Sequence, residues 1–239
     1  LGSVVLFMLL GISAVAVVGF LILPLALYKP ARLHGTRGLW YFVAVGLGYI
    51  LVEIAFIQRF VLFLGHPTYA LTVVVFLMLL SSGAGSIFAR RWMTSRPGDG
   101  QKAVSTLDPR SVDPRRVRWA LGAIVAAIVL YLFVLPPMLT SLVGLDFGIK
   151  LALTALVLVP LGFAMGMPFP TGLQVVAFAG EDGAATEWAW AMNAASSVFG
   201  SVLAMVIAIH FGLGVTLGCG AVAYLAALGL TRRWRASVA

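Results

Sequence analysis

Long apolar runs decide what this chain can fold into. Crossing about 30 Å of hydrocarbon takes roughly 20 helical residues. Seven stretches qualify: about 1–27, 39–64, 68–89, 118–142, 148–167, 187–210 and 213–231. The fifth has a continuation toward 178. Of the 239 residues, 62% are hydrophobic and 10% charged, against about 25% charged in a soluble domain. A chain this short cannot bury that much apolar surface in a water-soluble core, so lipid must cover the rest. The expected fold is an all-α polytopic transmembrane bundle of about seven spans, a single membrane domain over 1–239.

The net charge of +8 would raise nucleic acid as a partner in a soluble chain. Here the cations cluster at the ends of apolar runs, as the positive-inside rule requires, so no nucleic-acid partner is expected. Lys29, Arg32 and Arg37 follow span one. Eight more cations, Arg90 to Arg118, separate spans three and four, and Arg232, Arg233 and Arg235 close the chain. Together these make 14 of the 16 cations on one side, with only Arg59 and Lys150 toward the other. The expected location is the bacterial inner membrane with the C-terminus in the cytoplasm. The basic segment 90–118 contains Pro97, Gly98, Gly100, Pro109 and Pro114. It reads as a flexible cytoplasmic loop suited to anionic lipid headgroups. The chain is apolar from Leu1, without the basic start or small-residue cleavage site of a signal peptide. It therefore reads as the C-terminal part of something longer. Its one cysteine, Cys219, lies in an apolar run and reads as an inert buried thiol.

Glu53, in YILVEIAFIQRF, falls near the middle of span two. A carboxylate at that depth is costly unless neutralised or paired, and it should face the bundle rather than lipid. Gln58 and Arg59 follow it toward the far side. Six residues separate Glu53 from Arg59, about 240° of helical rotation, so they are not an i, i+4 pair. Two readings stay open for Glu53: a proton or cation site, or a glutamate locking the helices together. Asn193 in span six joins the candidate intramembrane polar site.

Span five contains LGFAMGMPFPTGL. Gly162 and Gly166 permit close helix contact, and Pro168 and Pro170 remove two backbone donors. A broken span is expected, followed by a short interfacial helix from Thr171 and Gln174, with a re-entrant or gating element as the alternative. In span six, Ser196, Gly200, Ala204 and Ala208 form a small-residue packing stripe beside a polar one of Asn193, Ser197 and Ser201. Ser82 and Ser86 offer a similar surface in span three.

His66 and His210 are weak candidates for a metal or haem, and no cofactor is expected. No glycine-rich phosphate loop or nucleophile elbow occurs, so no catalytic residue is assigned.

Three ordered motifs carry a family resemblance. YFVAVGLGYILVEIAFIQRFVLFLGHPTYALTVVVFLMLLSSGAGS, PLGFAMGMPFPTGL and EWAWAMNAASSVFGSVLA resemble the membrane region of large bacterial spermidine synthase-like proteins. The resemblance covers about 39–230. In that family a cytoplasmic fold like aminopropyltransferases and S-adenosylmethionine-dependent methyltransferases is fused to multispanning segments. The catalytic portion would precede residue 1, so the resemblance implies no activity for this chain. It marks Glu53, Gln58, Arg59, His66, Pro168, Pro170 and Asn193 as motif positions without assigning them roles.

The functions left open are these. One is a non-catalytic membrane domain that anchors such a module or packs as a subunit of a larger membrane complex. Another is a transporter-like bundle for a small cation such as a polyamine, or a lipid-like substrate, using Glu53. A third is a pigment- or haem-binding subunit.

Overall fold

The computed structural model describes residues 2–19, 36–94, 114–177 and 184–231. The end of the first span, most of the basic loop, the acidic turn with Glu181 and Asp182, and the tail with Arg232, Arg233 and Arg235 lie outside them. The helices are α1 (Gly2–Val17), α2 (Thr36–Leu64), α3 (Pro67–Thr94), α4 (Pro114–Ser141), α5 (Phe147–Met165), α6 (Pro168–Ala177), α7 (Ala184–Phe211) and α8 (Leu213–Thr231). No strand occurs among the described residues. Six segments are long and apolar enough to cross a membrane, with α5 and α6 together forming one of them, and α1 adds a shorter apolar helix over Val4–Val17. The chain is thus a multi-pass α-helical membrane protein.

Tight reversals make neighbouring helices antiparallel. Gly65 and Gly212 take positive φ of 81° and 93°, where a side chain would be strained. After Gly65, His66 acts as the N-cap of α3: its Nδ1 accepts the Thr68 backbone N–H at 3.2 Å, and Pro67 occupies the first helical position. At the opposite end the helices extend into the basic segment. Helix covers 90–94 and 114–118, so both ends of the expected flexible loop are structured. The reason is local: Arg116 donates to the Trp92 carbonyl and its guanidinium lies 5.4 Å from the Trp92 ring centroid. That pair ties the end of α3 to the start of α4.

The 29-residue α2 is the axle of the bundle. Its length is roughly 43 Å at 1.5 Å per residue, enough to cross with tilt. Tyr41, Phe42, Val52, Phe56 and Phe60 are almost wholly buried. Helices α7, α8, α4, α5 and α3 follow one another around it, each packed on the next. The small residues are where the backbones meet. A Cβ at Gly46 would come 2.5 Å from Ser196 Oγ of α7. One at Gly48 would come 2.9 Å from the Tyr224 ring of α8. One at Gly85 of α3 would overlap the Phe163 carbonyl of α5, and one at Gly166 the Ser82 carbonyl. Close backbone approach of this kind is what holds helices together in lipid, where apolar side chains gain little by leaving the bilayer.

Among the described residues the ring of helices does not close. Helices α3 and α7 both lie along α2 but do not pack against each other along their length. Among the described residues α6 bridges them, at the basic end. Helix α1 lies on the outer side of α7, with Phe7 and His210 at a ring separation of 5.3 Å.

The Tyr224 hydroxyl is buried and has no hydrogen-bond partner among the described residues. An unpaired buried hydroxyl costs stability. Tyr224→Phe should therefore raise unfolding free energy by about 1 kcal/mol, measured by denaturant titration in detergent micelles.

Candidate functional site

Glu53 lies on the strip of α2 that faces the gap between α3 and α7. Two contacts locate that strip. Gly46 meets Asn193 and Ser196 of α7, and Tyr49 shares a 3.4 Å hydrogen bond with Ser82 Oγ of α3. Glu53 is seven residues after Gly46 and four after Tyr49, so it sits about 20° and about 40° of rotation from these two contacts. It is half-buried, as are Tyr49, Ser82, Asn193 and Ser197. Neighbouring Val52 and Phe56 are fully buried.

Among the described residues Glu53 has no ion-pair or hydrogen-bond partner. This matters for the two readings left open by the sequence. A locking glutamate must engage a second helix, because an unsatisfied carboxyl at this depth destabilises the fold.

Helix α7 runs parallel to α2, and its register is fixed by three contacts. Ser197 Oγ donates to the Gly46 carbonyl at 3.5 Å. Asn193 Oδ1 lies against Gly46, and Gly200 against Ile50 and Leu47. Extending that register puts Glu53 level with Ser201 and Ala204. The stripe Ser196, Gly200 and Ala204 is buried, while Ala208 is partly exposed. Helix α3 is antiparallel to α2, so from Tyr49–Ser82 the register carries Glu53 toward Met78 and Leu79. The gap therefore has one apolar wall and one wall carrying serines, with a carboxyl on its floor.

The other sequence candidates do not gather there. Gln58 turns toward α7, with Nε2 at 2.6 Å from the Met205 sulfur. Arg59 is half-buried, about 120° round the helix from Glu53. His66 caps α3, and His210 pairs Nδ1 with the Val206 carbonyl at 2.9 Å. No cluster of three metal-ligating side chains occurs among the described residues.

The Gly/Pro break closes the basic end of the gap. Helix α5 stops at Met165, and Gly166 and Met167 make the turn. Pro168 then opens α6, where its missing N–H costs nothing. The expected short helix after the break is present as α6, but it begins at Pro168 rather than Thr171 and its first turns are buried: Thr171 is 1% exposed. Two features draw it inward. The Tyr41 hydroxyl donates to the Pro168 carbonyl at 2.8 Å. Gly172 lets the Tyr41 ring approach to where a Cβ would be 2.5 Å away. Phe169 then wedges between Phe42 of α2 and Trp190 of α7, at ring separations of 5.6 and 4.5 Å. Tyr41→Phe should remove the hydrogen bond that ties α2 to α6 and lower stability by about 1 kcal/mol, read as a fall in the detergent unfolding midpoint. Sequence reasoning missed Tyr41, because no local pattern pairs the start of span two with the break 127 positions on.

No family profile matches this chain, and no curated protein or solved structure matches it either. The architecture, the gap around Glu53 and the motif resemblance are therefore the basis for proposing a function.

Proposed function

We propose that this chain is the non-catalytic membrane module of a spermidine synthase-like protein. In this reading it holds an aminopropyltransferase-like module at the cytoplasmic face of the bacterial inner membrane. The observation that carries it is the packing around α2. Backbone contacts at Gly46, Gly85 and Gly166 leave no room for a side chain, which suits a rigid platform rather than two halves that rock against each other. The motif resemblance supplies the identity of the cargo. The described arginines Arg90, Arg91, Arg115, Arg116 and Arg118 gather at one end, the end expected to face the cytoplasm and its anionic lipid headgroups.

Cysteine accessibility in intact bacterial cells and inverted vesicles tests the orientation. Residues 100 and 236 should react with an impermeant maleimide only in inverted vesicles. The purified chain should transfer no aminopropyl group to putrescine from decarboxylated S-adenosylmethionine. Labelling from the outside, or transfer by the chain alone, overturns the proposal.

A second reading, a bundle that binds and moves a small organic cation, is favoured by one feature: Glu53 is half-buried at mid-membrane without a partner among the described residues. Its test is uptake of labelled polyamine by vesicles carrying the chain or its Glu53→Gln variant.

A further inference from the structure

Among the described residues nothing covers the gap between α3 and α7 on its lipid side, and its basic end is stopped by α6. Leu79, 59% exposed, stands at its α3 edge, and Val198, 59% exposed, lies on the lipid side of α7. A ligand reaching Glu53 by this route comes through the hydrocarbon and must carry an apolar body. Chemistry at the floor then selects the head. Glu53 offers a carboxyl, the Tyr49 and Ser82 hydroxyls lie one helical turn from it, and the α2–α7 register brings Ser201 level with it. The only acidic side chain placed there is Glu53 itself, and no three-ligand metal cluster occurs among the described residues, so a divalent metal is poorly served. An amine is well served, because it can be satisfied by one carboxylate and several neutral acceptors.

We infer that this opening is a lipid-side entrance to a binding site for an amphiphilic amine. The inference deepens the second reading above and rests on it for the role of Glu53. The amine enters neutral, as the bilayer requires. The Glu53 carboxyl then passes its proton to the amine nitrogen. Carboxylate and ammonium form as a pair, no net charge crosses into the membrane, and the apolar body remains against α3 and lipid. Phe169, wedged between Phe42 and Trp190, blocks direct passage from this site to the basic end.

The test uses the whole chain in lipid nanodiscs and dicyclohexylcarbodiimide, an apolar reagent that adds to protonated carboxyls within bilayers to give a stable N-acylurea. Mass spectrometry should locate the adduct on Glu53. Decylamine should reduce labelling by about tenfold, the scale of one charge-assisted hydrogen bond, and decanol should not. Glu53→Asp should keep labelling and amine protection, which separates loss of the acid from loss of the fold. Absence of the adduct means the opening is sealed, whether by packing or by a second chain, and overturns the inference. An adduct that decylamine and decanol affect equally overturns the amine site. Labelling and protection without polyamine transport would leave the binding site standing and remove only its transport role.

Discussion

Gly85→Ala should lower the unfolding free energy by about 3 kcal/mol, the upper range for an overpacked interface. The added methyl would overlap the Phe163 carbonyl. That oxygen belongs to the α5 backbone and cannot rotate away, so α3 and α5 must separate. Gly166→Ala should behave alike, because it meets the Ser82 carbonyl. Gly162→Ala should cost less, since its methyl meets Ser81 Oγ, a side chain able to turn. Gly83→Ala is the control. Nothing lies within 4 Å of its Cβ position, and alanine favours helix over glycine by about 1 kcal/mol, so it should be neutral or stabilising. Titration with sodium dodecyl sulfate from a mild detergent, followed by loss of helicity, gives this ranking directly. Equal effects at Gly83 and Gly85 would remove the α3–α5 contact from the account.

Glu53→Gln should leave stability within about 0.5 kcal/mol of the parent and lower amine binding by about tenfold or more. The two halves of that expectation belong together. Glutamine has the shape of a neutral glutamic acid, and no described partner is lost. It cannot give up a proton to an amine, so the ion pair cannot form. A locking role would show the opposite pattern, with about 3–5 kcal/mol of stability lost when one partner of a buried pair is removed. Amine binding is read by protection of the carboxyl in the parent and by equilibrium dialysis of labelled decylamine for the variant.

Span existence and approximate position were legible in the residues because length and hydropathy alone report them. Which helix sits at the centre was not. Both lipid and protein interior are apolar, so a lipid-facing Leu62, 79% exposed, and a buried Phe60, 1% exposed, look alike in composition. The centrality of α2 emerges only from Gly46 and Gly48 meeting α7 and α8. Gly162 and Gly166 were legible as close-contact positions, but their partners Ser81 and Ser82 were not, since no local pattern pairs two helices. The break before Pro168 was also legible. The burial of α6 was not, because it depends on Tyr41 reaching across 127 positions in the chain. For Glu53 the depth could be counted along span two. Its direction required the contacts on either side of it.

Oxygen accessibility of spin labels along α2 tests the open ring most directly. Labels are placed singly at 52, 53, 56 and 57 in a Cys219→Ser background, with the protein in lipid bilayers. Val52 and Phe56 are 0% exposed, whereas Glu53 and Ile57 are partly exposed. Bilayer-dissolved oxygen should relax labels at 53 and 57 strongly and those at 52 and 56 weakly. Equal shielding at all four positions, or stronger relaxation at 52 and 56, would contradict a bundle that opens between α3 and α7.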